Sequence, residues 1–194
     1  GVAGILIATI LLSVAPVLAW YDNAWTYRKE LTVAHSQVDA DLTDFPLLVS
    51  LDSDADLASK AQNDGDDIIF ADASDQRLDH EIEYFDSSTG ALVAWVRIPN
   101  LSSSTATTLY MYYGNPSASN QENPAAVCDS NFITVQHLDE TASTHYDSTA
   151  NDNDGTPVNG LIQDAVGQID GADDFAGTNE FIDVGTNASM DTYG

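Results

Sequence analysis

The chain has 194 residues, 43% of them hydrophobic, and a formal charge of −26 from 31 acids set against Arg28, Lys29, Lys60, Arg77 and Arg97. A field of that sign repels DNA, RNA and anionic membrane surfaces, so nucleic acid is excluded as a partner. Short alternating apolar runs exclude a disordered chain, and the single cysteine, Cys128, excludes an internal disulfide. Most of the acids are aspartate, a turn former, which places them in loops. Two readings of that acidity stand side by side: a solvated surface suited to salty surroundings, and loop carboxylates that ligate calcium.

Residues 1–19 carry no charge. An apolar run over 5–14, then Pro16, then Val17-Leu18-Ala19, has the layout of a secretory h-region and a small-residue cleavage site. Residues 1–19 are therefore expected to be a signal peptide, incomplete at its start, with the mature chain beginning near Trp20. The rival is a retained membrane anchor, for which the run is near the lower length limit. Either way the remainder is expected outside the cell or on its surface.

From residue 26 onward the pattern is β. Residues 26–34, 45–51, 67–71, 80–85, 91–98 and 107–113 alternate or form short apolar runs, separated by Asp64-Gly65, Ser87-Ser88-Thr89-Gly90, Pro99-Asn100 and Gly114-Asn115-Pro116. That punctuation predicts an antiparallel sandwich. In 91–98, Leu92, Ala94, Val96 and Ile98 share one face and Val93, Trp95 and Arg97 the other. Residues 56–62 are the one helical turn expected, with Asp56 as N-cap. The polar stretch 115–124 reads as a linker or long connection. Beyond it, 131–138, 171–177 and 180–184 read as strands and 139–160 as a polar loop. The expected organisation is a β-sandwich over 20–127 and a second, incomplete β domain over 128–194.

Six blocks occur in order: Trp25-Thr26-Tyr27-Arg28-Lys29, Asp41-Leu42-Thr43-Asp44-Phe45-Pro46, Asp64-Gly65-Asp66-Asp67-Ile68, His80-Glu81-Ile82-Glu83, Ala94-Trp95-Val96 and Tyr112-Tyr113-Gly114-Asn115. Together they resemble an exported bacterial and archaeal domain family of unknown function. The resemblance implies a β-sandwich in large surface proteins, beside lectin-like modules, and no established activity. Residues 128–194 resemble the opening of a concanavalin A-like, laminin-G-type jelly roll. The blocks there are His137-Leu138-Asp139-Glu140, Asp147-Ser148-Thr149 with Asn153-Asp154-Gly155-Thr156, and Phe181-Ile182-Asp183-Val184-Gly185. Gln136 and Cys128 depart from that pattern, since both stand where such modules carry aromatics.

Four constellations could carry chemistry. The first is calcium. Residues 52–56 begin like an EF-hand loop, but Leu57 and Asn63 replace the required Gly and Glu. The stronger candidate is 147–154, where Asp147, Asn151, Asp152, Asn153 and Asp154 are packed together. The jelly-roll resemblance makes a structural or ligand-bridging calcium admissible there, with Asp139 and Asp183 joining in space. The second is Glu81 with Glu83, two apart on a strand and so on one face; a glycosidase pair is possible in principle, and an outward polar face is the simpler reading. The third is the histidines, His35, His80, His137 and His145, which match no zinc spacing; His137 reads as support for its own turn. The fourth is the aromatics. Trp25, Tyr27, Trp95 and Tyr112 are candidate sugar-binding faces, weighed against a role as core filling.

The sequence thus predicts a non-catalytic extracellular binding or adhesion module of a larger surface protein, with polysaccharide or glycoconjugate as partner and calcium as a possible cofactor. The alternatives are a structural spacer in a cell-envelope array and an accessory module of a polysaccharide-degrading enzyme.

Overall fold

Alternation of apolar and polar residues builds two antiparallel sheets, seen in the computed structural model, which describes residues 21–167 and 169–190. The expected leader, residues 1–19, and Trp20 lie outside the described residues. One sheet contains, in spatial order, β1 (Tyr27–Val33), β7 (Thr107–Tyr113), β3 (Ile69–Asp72) and β4 (Arg77–Leu78). The other contains β2 (Leu42–Leu51), β6 (Ala91–Leu101) and β5 (His80–Asp86). The all-β, sandwich-like architecture expected from the sequence is present.

The core lies between these sheets. Leu92, Ala94, Val96 and Ile98 of β6 point inward, as their period of two requires, and meet Phe70, Leu109, Met111 and Tyr113 from the opposite sheet. Leu57 closes one end from helix α1 (Ala55–Lys60). Burying each such side chain stabilises the fold by roughly 1.5–3 kcal/mol. The helix begins one position before the expected start. Asp54, not Asp56, is its N-cap, because the Asp54 carboxylate accepts the N–H groups of Asp56 and Leu57. Asp56 instead sits in the first turn and pairs with Lys60.

A second apolar cluster covers the outer face of the β1–β7–β3–β4 sheet: Trp25, Ile69, Ala71 and Tyr112, with Tyr21, Tyr110 and Ala118 against them. The outer face of the β2–β6–β5 sheet is covered differently, by the chain that follows β7. Residues 115–127 are not a free linker. Arg77 reaches the side chain and carbonyl of Gln121, the Glu122 carboxylate accepts the Ile82 N–H, and the Asn123 N–H donates to the His80 carbonyl. Asn123 also bonds Asp79, and Arg97 donates to the Ala126 carbonyl.

Residues 128–148 then cross the β2–β6–β5 face as an arm. The strand expected over 131–138 does not form. Several of its polar backbone atoms are met from the 147–153 loop instead of a neighbouring strand, the Val135 carbonyl by the Ser148 N–H. Asp147 accepts the Val135 N–H, and the amides of Asn151 and Asn153 donate to the carbonyls of Phe132 and Ile133. After the arm, β8 (Thr156–Val158) pairs with β11 (Phe181–Asp183), and β9 (Ile162–Val166) with β10 (Gly171–Asp174). Strand β8 falls inside the stretch expected to be a polar loop, and β9 was not foreseen.

Candidate functional site

The arm and the sheet beneath it bring together the residues with the most chemistry. Trp95 of β6 and Glu81 of β5 are cross-strand partners. A register shift between Ile82 and Tyr84 displaces Glu83, whose carboxylate accepts the Trp95 Nε1–H at 2.6 Å. The outward polar face expected for this glutamate pair is therefore not open: their side chains are only 13% and 6% exposed.

His137 of the arm is inserted between them. Its Nε2 lies 3.2 Å from Glu81 and its Nδ1 3.3 Å from Glu83. Its ring stacks on the Trp95 indole, with centroids 6.4 Å apart and planes 22° apart. Ser148 donates to the second oxygen of Glu81 at 2.5 Å. The expectation that His137 supports only its own turn gives way to a contact between distant parts of the chain. Burial alone would lower the His137 pKa, but the two glutamates overcome it and push it up to about 10. Glu83 is held below the usual carboxylate range despite burial, by His137 and the Trp95 N–H.

Two hollows flank the His137–Glu81 pair. One, of about 280 Å³, has apolar walls from Pro46, Trp95, Val127, Phe132 and Val135. The other, of about 250 Å³, is rimmed by Glu81, Glu83, Asp139, Glu140 and Ser148, with Tyr146 64% exposed at its edge. Deeper in, His145 is fully buried between two more carboxylates, Glu140 at 2.7 Å from Nδ1 and Asp173 at 2.9 Å from Nε2.

Of the four aromatics expected to face a ligand, Trp25 and Tyr112 are core residues. Trp25 donates its Nε1–H to the Asp67 carbonyl, and the Tyr112 hydroxyl is held by Arg28 and Asp75. Their faces are spent on the Ile69–Ala71 cluster, which the alternation of β3 and β7 dictates. Tyr27 is 38% exposed, stacked on Tyr113 with Lys60 over its ring. Trp95 alone of the four lines the hollows described above. Sequence reading missed Tyr146, Phe132 and the clustering of Glu81, Glu83 and His137, because their meeting depends on an arm with no strand signal.

The six expected calcium ligands are spread over the 147–154 loop, the rim beside His137 and the end of β11. Asp147 uses both oxygens on Val135, Thr149 and Asn153, which hold its pKa low against its burial. Asp154 accepts the Asp147 N–H, Asn151 is turned toward carbonyls 132 and 133, and Asp183 accepts the Gly185 N–H. Asp152 is exposed, and Asp139 sits in the rim beside His137. Among the described residues no three His, Cys, Asp or Glu side chains converge as a metal ion requires. The loop's donors and acceptors answer one another.

Fold and site together define an all-β, sandwich-like domain whose outer sheet face is roofed by its own chain. Residues 64–154 match the family described as a domain of unknown function, DUF2341. No curated protein and no solved structure matches the chain significantly. The matched stretch runs past the boundary expected at 127 and takes in Glu81, Glu83, Trp95, His137 and Ser148, the sheet face and its roof alike.

Two outcomes are expected. Asp147→Ala strands several buried N–H groups and should cost about 3 kcal/mol in urea denaturation, whereas Asp152→Asn should stay within about 0.5 kcal/mol. The wild-type melting temperature should be the same in chelator and in millimolar calcium; a rise of several degrees with calcium would place a cation in the loop.

A third outcome concerns pH. His80 is fully buried against Phe70, with neither ring nitrogen in a well-formed hydrogen bond. Burial lowers its pKa from 6.5 to about 4. Between those values the unfolded chain takes the proton more readily, so stability falls as pH drops from 6.5 toward 4. His137 acts in the opposite sense: its contribution is complete below 6.5 and is lost as pH rises toward about 10. The melting temperature should therefore decline on both sides of neutrality. His80→Leu should flatten the acid limb and leave the alkaline one; an acid limb of unchanged steepness would remove His80 from the account.

Proposed function

We propose that this chain is a non-catalytic binding module, exported and carried by a larger surface protein, and that the groove beneath the arm takes a glycan. The observation that carries the reading is the pairing of an apolar hollow walled by Trp95 and Phe132 with a carboxylate-rimmed hollow edged by Tyr146. Sugars have apolar ring faces and hydroxyl edges. Aromatic walls suit the first and carboxylate acceptors the second. The glutamates are engaged with His137, Trp95 and Ser148, which suits them to fixed acceptors better than to proton transfer. Calcium has no part in this reading.

A spacer role in a surface array is the second reading, favoured by a different part of the molecule. Ile162, Val166 and Phe181 on the β8–β11 and β9–β10 ribbons, and Phe175 just after β10, are all more than 45% exposed. An apolar surface of that kind suits packing against a neighbouring module.

Affinity electrophoresis through gels containing cellulose derivatives, xylan, soluble chitin derivatives or mannan tests the glycan reading. At least one polysaccharide should retard the wild type, and Trp95→Ala and Tyr146→Ala should each weaken retardation about tenfold or more. Free migration through every gel would overturn it.

A further inference from the structure

After Arg97 the sequence contains no lysine or arginine, only acids and two histidines, His137 and His145. The structure sets each of these histidines between two carboxylates. We propose that His137 is a positioning residue: as an imidazolium it is the counterion that lets residues 128–148 lie on the β2–β6–β5 sheet, and the groove exists because of it. This does not depend on the ligand being a glycan.

The arm covers the glutamate pair of β5. Docking it takes Glu81 and Glu83 out of water, to 13% and 6% exposure, on one strand and two positions apart. Two carboxylates so placed cannot both remain charged in a covered site without a cation. The nearest arginine, Arg97, is committed to Asp44 and the Ala126 carbonyl. The other groups facing the cluster are acids or neutral: Asp139, Glu140, Tyr146 and Ser148 from the arm itself, and Cys128 at its start. Asp170, ahead of β10, adds further negative charge near Glu83.

Other attachment is sparse. Among the described residues, Ser148 to Glu81 is the one side-chain hydrogen bond from arm to sheet. On the apolar side Val127, Phe132 and Val135 border a hollow of about 280 Å³, so packing there is incomplete. The stack of His137 on Trp95 leaves both ring nitrogens within 3.3 Å of a glutamate oxygen, although Nε2 makes no well-formed hydrogen bond. Trp95 then steadies Glu83 through its Nε1–H, which closes a four-residue cluster.

Hydrogen exchange by mass spectrometry on the full chain at pH 7.5 tests this through charge alone. In His137→Gln, peptides from residues 130–148 should exchange at least tenfold faster, while peptides from β6 and β7 keep wild-type rates. The triple variant His137→Gln with Glu81→Gln and Glu83→Gln should regain protection to within about threefold of wild type, because no carboxylate is left to neutralise. A packing role would not be rescued in this way. Wild-type protection in His137→Gln would overturn the proposal, and so would a triple variant as unprotected as the single. Should His137→Gln unfold the whole chain, His137→Lys decides: a folded chain with a protected arm supports the counterion role, and unfolding like the Gln variant overturns it.

Discussion

Charge balance is the constraint on which the rest of this structure depends. A chain of net charge −26 repels itself, and its five fixed cations all precede residue 98. They are engaged by side chains before residue 122: Lys29 on Asp54 and Lys60 on Asp56, Arg28 on Asp75, Arg97 on Asp44, Arg77 on Gln121. Everything later must satisfy its carboxylates by other means. Backbone N–H groups serve Asp147 and Asp154 in the loops and Asp183 at the end of β11. Where carboxylates are buried in pairs, a histidine lies between them, His137 at the sheet face and His145 inside the second half.

This explains why the site lies where it does. The inner face of the β2–β6–β5 sheet is an ordinary apolar core, and its outer face carries Trp95, Glu81 and Glu83. Such a face would normally be wet. Here residues 121–127 are tied to β4, β5 and β6 by hydrogen bonds, which delivers the arm to the sheet, and His137 completes the contact. The incomplete fit leaves hollows on either side. The match to the family of unknown function takes in β5, β6 and the arm, and begins after β2.

The sandwich was legible in the sequence and the arm was not, for a physical reason. In β6, four inward residues alternate with Val93, Trp95 and Arg97, and a period of two states both the strand and its buried face. Strand β7 was read to its exact ends for the same cause. The failures fall where side chains replace sheet partners. Residues 131–138 look like a strand but spend their backbone on Asp147, Asn151 and Asn153. In β9 the apolar Ile162 and Val166 point outward, which inverts the signal. Asp54 and Asp56 are equally good caps by residue type, and only the backbone decides between them. Trp25 and Tyr112 carry the same aromatic signature as Trp95 but lie on a face that other apolar residues cover. Glu81 and Glu83 could be placed on one face from spacing alone, whereas their histidine partner lies more than fifty residues away and carries no local mark.

The central claim is that His137 is charged at neutral pH and is held so by two glutamates. NMR of the histidine ring nitrogens in the full chain tests it most directly. The account predicts that at pH 8 the His137 ring is doubly protonated, both nitrogens showing imidazolium shifts, while His80 remains neutral. A neutral His137 tautomer at that pH, with one nitrogen unprotonated, would contradict it.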